Sequence, residues 1–240
     1  MTSLASHVQV WLLRTDPEPE PGLADRWWSL LDEDDRARAT RLMRPVDGER
    51  STLAHAFLRL CLSRYADVAP EAWRFRRDEH GRPWIATPAV EGLFFSLSHS
   101  RGLTAVLVSD HPCCGVDVER LDAARDPALV AKRVFAPAEM AALFATAGTE
   151  HRRFFTARWT LKEAWSKARG LGLELPVEKA LFEEDGAGVR VSFLEGIDNP
   201  REWSFELFEP TEEHVLAVAM GGGVVREVVV MPCGLGRGVR

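Results

Sequence analysis

Cysteine is scarce, long apolar runs are missing, and basic charge is not in excess. The four cysteines are Cys61, Cys113, Cys114 and Cys233. None forms a CxxC pair, and adjacent cysteines do not easily serve one metal together. That count is too low for a disulfide scaffold and points to reduced thiols in a cytoplasmic protein. The apolar run Val8 to Leu13 is interrupted by Gln9 and followed at once by Arg14. It is neither the core of a signal peptide nor anything near the ~20 residues of a membrane span, so no membrane association is expected. Lys plus Arg number 30 against 36 Asp plus Glu, a net charge of −6. That balance argues against nucleic-acid binding by bulk charge but leaves room for a local basic pocket. No GxxxxGK[ST] loop is present, which removes the commonest nucleoside-triphosphate phosphotransferases.

What is there is a chain of 240 residues, 46% hydrophobic and 28% charged. Such a chain buries roughly 70–75% of the surface its unfolded form exposes, enough for one large domain or two small ones. The first half reads as a strand over His7 to Leu13 and a Pro- and Glu-rich loop over Asp16 to Gly22. A helix follows over about Leu23 to Leu42, with Asp32 as an N-cap within it, and a second over about Gly48 to Tyr65. In the second helix Leu53, Phe57, Leu60 and Cys61 fall on one stripe. Strand signals come next at Trp73–Arg76, Pro83–Ile85, Leu93–Ser98 and Thr104–Ser109, the last two joined by a hairpin-like His-Ser-Arg-Gly connection. The second half opens with a strand over Cys114–Glu119 and a helix from about Pro137. A long helix over Glu150–Arg169, stopped by Gly170, leads to strands at Gly188–Phe193, Glu202–Phe208, His214–Ala219 and Val224–Val230. Both halves run strand, helices, strands. This predicts an α+β fold of two similar, pseudo-twofold lobes, 1–112 and 113–240, meeting at a shared cleft.

Five features carry chemistry. In Gly115-Val116-Asp117-Val118-Glu119 the period of 2 places Asp117 and Glu119 on one strand face. Taken alone this describes a half-exposed edge strand. Taken functionally it offers two hard oxygen ligands for Mg²⁺. In Trp159-Thr160-Leu161-Lys162-Glu163-Ala164-Trp165-Ser166-Lys167, helical spacing groups Leu161, Ala164, Trp165 and Ala168 as a buried stripe. Trp159, Lys162, Glu163, Ser166 and Lys167 form the opposite one. The plain reading is a surface Glu163–Lys167 pair, but a tryptophan at the head of that face implies that it is partly covered. Phe95-Ser96-Leu97-Ser98-His99-Ser100 ends a strand in small polar groups and an imidazole, either a capped hairpin or an anion contact. Gly81-Arg82-Pro83 is a turn presenting one guanidinium. Arg36, Arg38, Arg41, Arg44 and Arg50 are either a solvated helix face or forks for a phosphate.

In chain order, Gly81-Arg82-Pro83, the Phe95–Ser100 segment, Gly115-Val116-Asp117-Val118-Glu119, the Trp159–Lys167 segment and the trailing Gly170-Leu171-Gly172-Leu173 together resemble the Sfp-type 4′-phosphopantetheinyl transferases. The GxDxE and WxxKExxxK pair, some forty residues apart, is the specific part of the signature. The family often has Lys where Arg82 stands. The resemblance implies two α+β lobes with coenzyme A in the cleft between them. It implies transfer of the 4′-phosphopantetheine arm from coenzyme A to a serine of an apo acyl or peptidyl carrier protein, releasing adenosine 3′,5′-bisphosphate. By the same match Asp117, Glu119 and Glu163 hold Mg²⁺, with Asp117 also close to coenzyme A. Glu163 activates the serine, and Lys167 steadies the leaving phosphate. Lys162 is a second phosphate contact, and Arg38, Arg50, Arg82, Ser98 and His99 bind the nucleotide. The partners expected are coenzyme A and the carrier, the latter steered by local positive charge, with the enzyme itself a monomer. The competing expectation is a non-catalytic module that binds coenzyme A or a carrier.

Overall fold

The computed structural model describes residues 7–15, 22–122, 127–186, 188–223 and 226–233. The Pro- and Glu-rich loop lies outside the described residues except for Gly22, as does the side chain of Cys233. The chain divides into two compact units, one within 1–79, 83–112 and 226–240, the other within 80–82 and 113–225.

The first unit opens with β1 (His7–Arg14), apolar on both faces and buried along nearly its whole length. A strand of that kind belongs inside a sheet. Three helices follow: α1 (Leu23–Trp28), α2 (Glu33–Arg41) and α3 (Pro45–Leu62). The single helix expected over 23–42 is therefore two. The break has a local cause: Asp32 adopts an extended backbone and its carboxylate accepts the Asp35 N–H at 2.9 Å, so it caps a new helix rather than continuing the old one. Pro45 at the first helical position starts α3 earlier than Gly48. Two hairpins complete this stretch: β2 (Arg74–Arg77) with β3 (Pro83–Thr87), and β4 (Phe94–Ser100) with β5 (Leu103–Ser109). Leu53, Phe57, Cys61 and Leu62 of α3 pack with Val106 and Val108 of β5 and the indoles of Trp11 and Trp73. Leu53, Phe57 and Cys61 are buried as expected, Leu60 is only half-buried, and Leu58 and Leu62 widen the stripe.

The second unit runs β6 (Cys114–Arg120), α4 (Pro127–Val134), α5 (Pro137–Phe144), α6 (Gly148–Arg169), β7 (Ala180–Asp185), β8 (Gly188–Phe193), β9 (Ser204–Thr211) and β10 (His214–Met220). Here β10 is the centre of an antiparallel sheet in the order β6-β10-β9, and β7 pairs with β8. The long helix α6 ends where Gly170 takes φ 71°, a left-handed conformation suited to glycine. Its apolar stripe, Leu161, Ala164, Trp165 and Ala168, packs on the small side chains Ala217 and Ala219 of β10.

The final strand, β11 (Glu227–Cys233), departs from the expected lobe of 113–240. It pairs in parallel with β1, from His7 opposite Glu227 to Leu13 opposite Cys233, and closes the first unit's sheet in the order β11-β1-β5-β4. The segment 80–82 also changes sides relative to the expected 1–112 lobe and belongs with the second unit. The fold is α+β. Among the described residues no helix is long and apolar enough to cross a membrane, and Cys61, Cys113 and Cys114 are thiols, not disulfides.

Candidate active site

The placing of Asp117 and Glu119 against α6 depends on one glycine. A β-carbon on Gly115 would lie 2.0 Å from the Ala164 carbonyl oxygen and 2.6 Å from the Ala168 amide nitrogen. Only a residue without a side chain lets β6 approach the α6 backbone so closely. Because side chains alternate along a strand, Asp117 and Glu119 leave β6 on the same face as Gly115, toward α6. Their cross-strand neighbours on β10 are Ala217 and Val215.

Two contacts fix the register. The Lys167 ammonium lies 2.7 Å from Asp117 Oδ1. The indole Nε1 of Trp159 donates to Glu119 Oε1 at 2.9 Å. Thus α6 runs antiparallel to β6: Ala164 and Ala168 lie opposite Gly115, Lys167 opposite Asp117, and Trp159 opposite Glu119. Trp159, Glu163 and Lys167 are spaced by four and form one ridge. Glu163 therefore sits midway between the two contacts. Asp117 is buried, while Glu119 and Glu163 are half-buried. Like charges this near repel, and each strand carboxylate is met by its own donor. The three acids share facing ridges rather than converging on one point. Among the described residues, no three His, Cys, Asp or Glu side chains form a ready-made metal cluster. The donor set nevertheless fits Mg²⁺: hard carboxylate oxygens from two rigid elements that also hold an ammonium.

Lys162 does not join this face. Its side chain is about 1% exposed and its ammonium sits 2.8 Å from Glu139 Oε2, itself equally buried. It also donates to the carbonyls of Val177, at 2.9 Å, and Ala180. Glu139 in turn accepts the Ala136 N–H at 2.9 Å and the Phe182 N–H at 3.1 Å. Burial lowers the Lys162 pKa, against the pull of Glu139. The expected phosphate contact is instead a buried joint tying α5, α6 and β7 together. Helical spacing placed Lys162 beside Glu163, but its angular position is next to the core stripe, where a long side chain reaches an internal partner.

Arg82 lies at the C-terminal end of α6, its Nη1 3.4 Å from the Ala168 carbonyl and its Cδ within 3.1 Å of where a Gly170 β-carbon would stand. A guanidinium there complements the helix dipole. Ser98 and His99 are successive residues of β4 and so leave opposite faces. Ser98 is buried and His99 exposed. Arg50 pairs with Asp47 at 3.2 Å and Arg38 with Asp35 at 3.4 Å. A cavity of about 440 Å³ in the first unit is lined by Arg38, Arg41, Arg76, Arg77 and His55, among others. Of the five expected nucleotide contacts, only Arg38 lines it. The sequence reading missed Arg76 and Arg77, although the run Arg74-Phe75-Arg76-Arg77 carried the signal. Three acids, Asp32, Asp34 and Asp35, also line this cavity, and two of them pair with Arg59. Arg59, fully buried, reaches Asp32 at 2.8 Å and Asp35 at 2.7 Å. Burial alone would raise the Asp35 carboxyl, but His55 and Arg59 more than offset it and hold it well below the usual carboxylate range.

Residues 113–219 match the model of the 4′-phosphopantetheinyl transferase superfamily. The chain is 31% identical over 223 residues to the 4′-phosphopantetheinyl transferase HetI of Nostoc sp., covering 92% of this chain and 91% of that protein. It is 28% identical over 199 residues to a 4′-phosphopantetheinyl transferase of Bacillus subtilis, covering 82% and 85% respectively. Among solved structures, a holo-(acyl-carrier-protein) synthase from Bacillus anthracis in complex with CoA (3′,5′-ADP) covers 45% of this chain and 93% of that chain. The identity there is 19% and the TM-score 0.38.

Proposed function

Because this chain belongs to the 4′-phosphopantetheinyl transferase superfamily, we propose that its transfer chemistry is carried by Asp117, Glu119, Glu163 and Lys167 on the facing ridges of β6 and α6. The protein is a 4′-phosphopantetheinyl transferase: it moves the arm of coenzyme A onto a serine of an apo carrier protein. In that reaction the serine oxygen forms a bond to phosphorus, and the bond from phosphorus to the leaving adenosine 3′,5′-bisphosphate breaks. Asp117, Glu119 and Glu163 would hold Mg²⁺, which would supply positive charge to the phosphate being transferred. The serine proton goes to the Glu163 carboxylate, on the α6 ridge that faces Asp117 and Glu119. Lys167 keeps a fixed ammonium beside Asp117, where it counters the charge that grows on the leaving phosphate. In the first unit, the guanidinium-lined cavity around Arg38, Arg76 and Arg77 suits a phosphate of the nucleotide, since Arg grips phosphate bidentately. Arg50, Arg82, Ser98 and His99 remain proposed coenzyme A contacts on the strength of the motif match alone.

The observation that carries this assignment is the pair of contacts, 2.7 Å from Lys167 to Asp117 and 2.9 Å from Trp159 to Glu119, that brackets Glu163. The test is intact-mass analysis of an apo carrier protein incubated with this enzyme, coenzyme A and Mg²⁺. The native chain adds one 4′-phosphopantetheine group. Folded Glu119→Ala, checked by circular dichroism, should turn over at least about 100-fold more slowly even at high Mg²⁺. Turnover near that of the native chain would remove Glu119 from the site.

A further inference from the structure

We propose that Trp159 is a positioning residue: its indole N–H holds the Glu119 carboxylate in the orientation in which it binds the divalent cation. This rests on the metal assignment of Glu119 above and extends it to a residue that touches neither substrate nor cation. The indole has one donor and no acceptor, so its 2.9 Å contact to Glu119 Oε1 can only be donation to the carboxylate. Such a charge-assisted bond fixes Oε1 and with it the orientation of the carboxylate. The ring itself cannot swing freely. Trp159 packs on the cluster of Ala131, Phe135, Leu143 and Phe155, built from α4, α5, α6 and the α4–α5 connection. Phe135 and Phe155 stack with ring centroids 5.6 Å apart and brace that cluster. A rigid donor anchored in an apolar layer is the arrangement by which outer-shell groups orient metal ligands.

The inference separates two roles of one side chain, a packing body and a hydrogen-bond tip. Trp159→Phe keeps most of the body and deletes the tip. Leu143→Ala loosens the same cluster without touching the tip. The measurement is the Mn²⁺ binding isotherm, followed by water-proton relaxation, with saturating coenzyme A and no carrier present. We expect Trp159→Phe to bind Mn²⁺ about tenfold more weakly, and Leu143→Ala to lose thermal stability but keep the native affinity. In turnover assays the apparent KM for Mg²⁺ should rise in Trp159→Phe while kcat at saturating Mg²⁺ stays close to native. Glu119→Gln distinguishes the two layers of argument. If it binds Mn²⁺ as the native chain does, the metal assignment itself is wrong. If Glu119→Gln has lost the ion while Trp159→Phe keeps native affinity, the positioning role of Trp159 is overturned. Equal weakening in Trp159→Phe and Leu143→Ala would likewise overturn it in favour of packing alone. Should Trp159→Phe not fold, the Trp159 indole N–H resonance of the native chain still decides. It should shift when Mg²⁺ is added with coenzyme A, and an unmoved signal refutes the proposal.

Discussion

At the scale of single residues, the instructive cases are polar groups held in apolar surroundings. Lys162 is the sharpest. Its neighbours in the helix motif made it look like a phosphate ligand, yet it forms a buried pair with Glu139. Nothing in the spacing of the motif points to an acid 23 positions upstream, so sequence reasoning had no route to that partner. Breaking such a pair from one side leaves an uncompensated buried charge, so its placement here marks a structural joint. Tyr65 is a second case and carries a pH prediction. It is the chain's one tyrosine, and its hydroxyl accepts from Trp11 Nε1 at 2.6 Å and donates to Gln9 Oε1 at 2.5 Å. Burial pushes its pKa from 10.0 up to about 12. A group whose pKa is raised on folding adds stability that is fully present below the unfolded value and is lost as pH rises through the folded one. Stability should therefore fall between pH 10 and about 12, with a slope of up to about 1.4 kcal/mol per pH unit from this group. Urea midpoints across that window should drop more steeply for the native chain than for Tyr65→Phe. Equal slopes would sink the idea. With a single phenol present, the absorbance of the phenolate reports the titration directly.

At the scale of elements, the β6–α6 pair shows what a sequence discloses and what it withholds. The alternation in Gly115-Val116-Asp117-Val118-Glu119 and the spacing of Trp159, Glu163 and Lys167 were legible because strand and helix periods are fixed by the backbone. That the two ridges face each other, in antiparallel register, was not legible, because register depends on a close approach made in three dimensions. Gly115 sets that approach, and its role predicts an outcome. Gly115→Ala places a methyl group 2.0 Å from a backbone carbonyl that cannot swing aside. The helix must then be displaced, at a cost of about 2 kcal/mol or more. The urea midpoint should fall and transfer should slow together, because Asp117 and Glu119 lose their register against Lys167 and Trp159. A Gly115→Ala chain with native turnover would show that the site tolerates a shifted helix. Break points were less readable than periods. Asp32 was recognised as a cap, but not that its helix would begin anew there. Pro127 to Val134 and Ala180 to Asp185 are hard to read from sequence because each is short, eight and six residues.

At the scale of the whole chain, the α+β class and the repeated order of elements were visible from composition and periodicity. The pairing of β11 with β1 was not, since parallel partners far apart in sequence leave no local mark. That pairing makes a prediction of its own. Removing 227–233 turns β1 from an interior strand into an edge. Hydrogen exchange should then speed up at the β1 amides that bond β11, while those bonded to β5 keep their protection. Unchanged exchange along β1 would contradict the parallel register, and uniform loss would mean that the unit had unfolded. The same pairing has a consequence for biosynthesis. At about 5–20 residues per second, β1 emerges from the ribosome roughly 10–45 s before its β11 partner does. Through that interval the Val8, Val10 and Leu12 strand is a nascent edge that must be shielded. Expression of this enzyme should therefore depend more on chaperones that hold emerging chains than on its final thermodynamic stability.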